Sequence, residues 1–307
     1  MLESVIGALN GVVGDYLART DNGLATTMGF YVDGRELVLE RDMLARAFPA
    51  ATRKLVIMLH GLACTERTWA FPDGTDYGSR LARDLGYTTF YLRYNSGLPI
   101  VDSGEAFAPL LERLCSAYPV AIDEIVLLGY SMGGLVARSA CHIASESGMR
   151  WLSLVKDAVY VGTPHGGAPL ERFDRRLVSV LRSLPDPYTQ LVGQIVGLRS
   201  DGIKDLAQGT VARNPDLEDA HHPVAMLHSI RHYLVAGTIS HDPVLTALFG
   251  DALVPVSSAT QPPRPEADTG PLPKKHIRIF RGANHVELAH HEGVYGQIHA
   301  WLKETRS

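Results

Sequence analysis

No segment of the 307-residue chain reaches the roughly 18 consecutive apolar residues that a membrane-spanning helix needs. The N-terminus lacks the basic stretch followed by an apolar run that marks a secretory leader. Together these absences give the expectation of a cytoplasmic protein. Cysteine is scarce: Cys64, Cys115 and Cys141 are odd in number and lack the paired spacing of a zinc site or disulfide framework, so buried thiols are expected. An excess of charge of one sign is also missing. With 29 Lys and Arg against 33 Asp and Glu, the formal net charge of -4 supplies no basic field for nucleic acid, and the expected partner is small and uncharged. No internal repeat is visible.

What is present is a composition 46% hydrophobic and 20% charged, enough for a chain of this length to bury a substantial core. Leu2, Val5, Ile6, Leu9, Val13 and Leu17 recur at helical spacing, although three glycines lower the helical propensity of that stretch. Met28 to Leu39 predicts a β-hairpin around Asp33-Gly34, a pair that readily takes the positive φ angles of a tight turn. From Leu55 onward, short apolar runs alternate with amphipathic stretches. Strands are predicted at 55–59, 87–92, 124–129 and 155–161, and helices at 77–85, 103–118 and 132–147, with Asp102 and Glu105 as a capping pair. Continuous runs such as Leu55-Val56-Ile57-Met58-Leu59 suit parallel strands buried on both faces, and the alternation predicts a doubly wound, mostly parallel sheet.

The alternation breaks near His165 and resumes with a strand at 233–238, leaving an insertion with proline and glycine punctuation. The expected organisation is therefore an N-terminal helix and hairpin (1–53), an α/β core (54–167 and 230–307) and a helical cap (168–229). A proline-rich loop at 261–275, a last strand at 276–280 and a last helix bearing Val294, Ile298 and Trp301 close the chain.

Gly129-Tyr130-Ser131-Met132-Gly133-Gly134 fits G-x-S-x-G between a predicted strand and a predicted helix, the context a nucleophile elbow requires. A serine hydroxyl is nearly inert at neutral pH and needs a base, itself oriented by a third group. In this arrangement a carboxylate and then a histidine follow in chain order, at the ends of later strands. His285 stands directly after the last strand and is the expected base, ahead of His290 and His291. Asp251 precedes that strand and is the expected acid, with Asp242 as competitor. The backbone N–H groups of Leu62, in His60-Gly61-Leu62 after the first long strand, and of Met132 at a helix start are the expected oxyanion donors. His60 and His165 are expected to be structural.

His60-Gly61-Leu62, the elbow, Gly162-Thr163-Pro164-His165-Gly166-Gly167, Asp251-Ala252-Leu253-Val254-Pro255 and Asn284-His285 resemble the ordered motifs of bacterial lipases and the related inositol-deacylase-like hydrolases, over roughly residues 54–302. The resemblance implies the α/β-hydrolase fold, a carboxylic-ester hydrolase, Ser131, Asp251 and His285 as triad, and Leu62 and Met132 as oxyanion donors. The resemblance does not identify a substrate; a small-molecule ester or lipid and no cofactor are expected. Some such lipases hold a structural calcium, but no convincing carboxylate pair maps here and no metal is expected. Leu181 and Leu191 in the cap are candidates to touch the acyl chain. Acyl transfer from the same acyl-serine, and a binding protein that kept the fold without the chemistry, are the competing readings; oligomeric state is left open.

Overall fold

The computed structural model describes residues 2–167, 200–212, 224–239, 251, 253–261 and 272–304. The hairpin forms as β1 (Gly29–Val32) and β2 (Arg35–Glu36), with φ of 50° at Asp33 and 74° at Gly34, the positive pair that a two-residue turn between twisted strands favours. The apolar runs become β3 (Lys54–Leu59), β4 (Thr88–Arg93), β5 (Glu124–Tyr130), β6 (Val155–Val161), β7 (Arg231–Thr238) and β8 (Ile277–Arg281). All eight strands lie in one sheet of order β2-β1-β4-β3-β5-β6-β7-β8. Neighbours from β4 through β8 pair in parallel, and β1 pairs antiparallel with β4.

The described helices are α1 (Leu2–Arg19), α2 (Arg41–Ala47), α3 (Tyr77–Leu85), α4 (Ile100–Ala117), α5 (Met132–Glu146), α6 (Asp201–Gln208), α7 (Val256–Thr260) and α8 (Glu292–Glu304). α3 is set by its own ends: Asp76 and Ser79 form a reciprocal capping box, and Gly86 closes the helix at φ 71°. α4 corrects a sequence expectation. Asp102 lies in its first turn instead of ahead of it, because the helix starts at Ile100 behind Pro99 and the Ile100 N–H is met by Asp205 Oδ2 at 2.8 Å. A carboxylate from α6, 105 residues away, does the work assigned to a local cap.

Burial on both faces explains the continuous apolar runs. Leu55, Ile57, Leu59, Ile125 and Leu127 point to one core, which also holds Leu111 of α4 and Leu135 of α5. Val56, Met58, Val126 and Leu128 point to the other, with Leu81 of α3 and Ile298 and Leu302 of α8. Of the segment expected as a cap, residues 200–212 and 224–229 are described; Ile203 and Leu206 of α6 join the first core.

α1 is kinked at Val13, and its glycines are a contact face. A Cβ on Gly11 would lie 2.6 Å from Ala63 Cα, and one on Gly14 would lie 1.9 Å from Asn95 Oδ1. Only glycine lets the helix come this close to the loops after β3 and β4.

β3 and β5 are neighbours, and the chain leaving β3 runs to β4 on one side while the chain leaving β5 runs to β6 on the other. Such switch points open a crevice at the strand ends, and the loops after β3 and β5 meet there. No described helix is long and apolar enough to cross a membrane.

Candidate active site

β5 ends at Tyr130, and α5 begins at Met132, which leaves one residue to turn the chain. Ser131 makes that turn at φ 51° and ψ -121°, in a region that costs a non-glycine residue about 1–3 kcal/mol. The surroundings hold it there. Ser131 N–H donates to the Val161 carbonyl at 2.8 Å, tying the turn to the end of β6. A Cβ on Gly133 would stand 2.4 Å from the Leu59 carbonyl oxygen, so a bare backbone is required for the start of α5 to seat against β3. A Cβ on Gly61 would approach Ser131 Cβ to 3.1 Å, which puts the loop after β3 directly beside the serine.

His285 and Asp251 are brought together from the loops after β8 and β7. The imidazole Nδ1 and the Asp251 Oδ2 are 2.7 Å apart, and both side chains are buried. Since that carboxylate accepts, Nδ1 carries a proton and Nε2 faces away from the aspartate. The other carboxylate oxygen, Oδ1, accepts from the N–H groups of Leu253 at 3.0 Å and Val254 at 2.8 Å. Two backbone donors and the imidazole thereby fix the carboxylate. The backbones are joined as well, His285 N–H donating to the Asp251 carbonyl at 2.8 Å. On its other side the imidazole rests against Gly162, where a Cβ would lie 3.1 Å from His285 Cε1 and where φ is 63°. Val161, whose carbonyl holds Ser131, is the preceding residue, so serine and histidine flank the same strand end.

Among the described residues, the Leu62 N–H has no hydrogen-bond acceptor, while its neighbours' N–H groups go to Ser96 Oγ (from Ala63, 3.0 Å) and to the Gly61 carbonyl (from Cys64, 3.3 Å). The Met132 N–H opens α5 and has no carbonyl one turn back. His60 is buried, stacked on Tyr94 at 4.3 Å, and receives the Tyr94 N–H at Nε2 (3.3 Å). Its Nδ1 therefore donates to the Gly61 carbonyl at 2.8 Å, and burial holds its pKa down to about 4. It stays neutral.

His291 and His165 have other partners. His291 Nδ1 accepts from the Gly293 N–H at 3.1 Å, at the start of α8. His165 Nδ1 accepts from Arg138 Nη1 at 3.2 Å, and Arg138 Nη2 donates to the Val224 carbonyl at 2.6 Å. Burial pushes the pKa of His165 well below its ordinary value. Asp242, Leu181 and Leu191 lie outside the described residues. Among the described residues no three His, Cys, Asp or Glu side chains are grouped to hold a metal ion.

Two contacts had no local signal in the sequence: Tyr130 OH to the His285 carbonyl at 3.0 Å, and Ala63 N–H to Ser96. The α1 glycines did have one, since Gly7, Gly11 and Gly14 are spaced four and three apart, on one helical face.

Residues 106–230, which include Ser131, match the PGAP1-like alpha/beta domain family. Two triacylglycerol lipases, from Pseudarthrobacter phenanthrenivorans and Burkholderia plantarii, are each 30% identical over 130 residues, which is 40% of this chain and 37% and 33% of theirs. The match thus spans about a third of the length of these curated relatives. The crystal structure of the mature Bacillus licheniformis lipase BlEst2 superposes with a TM-score of 0.52 at 18% identity, covering 90% of this chain and 96% of that one. The fold is the α/β-hydrolase fold, and the resemblance is to its lipases and esterases.

Proposed function

We propose that this chain hydrolyses carboxylic esters through an acyl-enzyme formed on Ser131. The observation that carries the reading is the buried 2.7 Å contact between Asp251 and His285, beside a serine held at positive φ between a strand and a helix. With Nδ1 committed to the aspartate, Nε2 is the basic nitrogen and takes the Ser131 proton as Oγ attacks the ester carbonyl. The N–H groups of Leu62 and Met132 donate to the carbonyl oxygen as negative charge develops on it; losing one such donor typically costs about 10² to 10³ in turnover. His285 then protonates the leaving alcohol. Water, deprotonated by the same nitrogen, attacks the acyl-serine and releases the acid. Each bond made to Ser131 is broken again, and no cofactor enters the cycle.

The triacylglycerol lipase relatives support an ester or lipid substrate. In this reading residues 168–229 cap the site, with Leu181 and Leu191 against the acyl chain. The test is hydrolysis of p-nitrophenyl esters from acetate to palmitate by the wild-type chain and by Ser131→Ala. The reading requires that Ser131→Ala fold normally and lose activity by at least about a thousandfold. Leu181→Ala and Leu191→Ala should change the long-to-short ester ratio by about tenfold. A folded Ser131→Ala with substantial activity would refute the reading.

A further inference from the structure

We propose that Ser96 is a positioning residue for the oxyanion hole, an inference that rests on the ester-hydrolase reading of Ser131. Ala63 follows the proposed donor Leu62 and has φ of 58°, a conformation that alanine enters only at a cost. Its N–H donates to Ser96 Oγ at 3.0 Å. This bond closes the left-handed turn from the far side and fixes the direction of the preceding peptide units. Gly61 is fixed from the near side by His60 Nδ1 on its carbonyl. Between these two tethers stands the Leu62 N–H, with no acceptor among the described residues.

Ser96 is itself held from several sides. It is 1% exposed, in a tight turn where the Gly97 N–H donates to Asn95 Oδ1 at 3.0 Å and the Leu98 N–H to the Asn95 carbonyl at 3.2 Å. α1 holds one side of that turn, Asn95 Nδ2 donating to the Gly14 carbonyl at 2.8 Å. α6 holds the other, the Gly202 N–H donating to the Gly97 carbonyl at 3.0 Å. A Cβ on Gly202 would lie 2.4 Å from the Ser96 carbonyl oxygen, so the two segments are in direct backbone contact. α1 also backs Ala63 itself through Gly11, and its first turn is anchored by Glu3 to Arg67 at 3.0 Å and to Arg93 at 3.3 Å. Ser96 is the side chain that transmits this frame to the loop. Without its hydroxyl, Ala63 loses the partner that offsets its strained φ, the turn relaxes, and the Leu62 N–H turns away from the carbonyl oxygen of the substrate. The loss falls on the charged transition state more than on the bound ester.

The experiment compares the full-length wild type with Ser96→Ala, the near-isosteric weak acceptor Ser96→Cys, and the double variant Ser96→Ala/Ala63→Gly. Each is assayed with p-nitrophenyl butyrate and with phenylboronic acid, which forms a tetrahedral anionic adduct on a nucleophilic serine. Expected for Ser96→Ala and Ser96→Cys is a kcat lowered by about 10- to 100-fold, a KM within about twofold, and boronate inhibition weakened by a similar factor to kcat. Glycine at 63 holds positive φ without help, so the double variant should regain about fivefold in kcat. If Ser96→Ala does not fold, Ser96→Cys supplies the same comparison. Folded Ser96 variants with wild-type kcat, or with a lowered kcat and unchanged boronate inhibition, would overturn the proposal while leaving the Ser131 reading in place. A wild-type chain that neither hydrolyses the ester nor binds the boronate would overturn both.

Discussion

The hydroxyl of Tyr130 donates to the backbone carbonyl of His285 at 3.0 Å, so the residue immediately before the elbow serine holds the loop that carries the imidazole. The two rings are 5.2 Å apart at their centroids. Placing β5 and the loop after β8 in register is thus partly the work of a side chain outside the Ser131, His285 and Asp251 set. Tyr130→Phe keeps the ring and removes the hydroxyl. A hydrogen bond of this kind is worth about 1 kcal/mol net, so kcat should fall severalfold and KM change little, as read by p-nitrophenyl ester kinetics. A kcat equal to that of wild type would mean that the bond does not position His285.

Asp251→Asn keeps the size of the side chain and reverses the polarity of the group facing His285 Nδ1. The amide stabilises the wrong imidazole tautomer, and turnover should drop by up to about 10⁴. Circular dichroism and the urea midpoint should show a folded protein. A folded Asp251→Asn with a loss under about tenfold would reassign the acid.

Gly162→Ala separates activity from stability. Its positive φ of 63° imposes a cost of about 1 kcal/mol on alanine, and the new methyl would press on His285 Cε1 at 3.1 Å. A modest fall in the urea midpoint should accompany a loss of kcat of at least about tenfold. Equal activity in the two proteins would mean that the imidazole has room to shift without consequence.

The buried histidines make stability depend on pH. Burial holds His60 and His232 down to about 4, against an ordinary 6.5, and His165 well below it. Between those values the unfolded chain binds protons that the folded chain refuses. Their contribution is therefore fully present above pH 6.5 and is lost as pH falls towards about 4, at up to about 1.4 kcal/mol per pH unit for each imidazole. Urea midpoints should be level from pH 8 to 7 and fall steeply from pH 6 to 5, with a shallower fall in His232→Gln. A level midpoint down to pH 5 would contradict this.

The central strands are legible in the sequence because burial on both faces leaves no polar position to interrupt an apolar run, as in Leu55 to Leu59 and Ile125 to Leu128. The glycine-flanked turn at Ser131 is legible because only that spacing lets backbone pass backbone at the start of α5. What the sequence hides is contact between distant segments. α4 starts earlier than its own polar residues suggest because Asp205 caps it from α6. The glycines of α1 weaken the helix as a local object and strengthen it as a packing face against Ala63 and Asn95. α6 and α7, eight and five residues long, are too short for periodicity to mark. Neither Ser96 nor Tyr130 sits in a pattern that signals its partner, since the relation exists only after β3, β4, β5 and β8 have been assembled into one sheet.

The most direct test of the account is covalent labelling with a fluorophosphonate, followed by intact-mass measurement and peptide mapping. One adduct per chain is expected, on Ser131, with ester hydrolysis lost in proportion to labelling, and no adduct on Ser131→Ala. An adduct on another serine, or hydrolysis that survives complete labelling of Ser131, would contradict it.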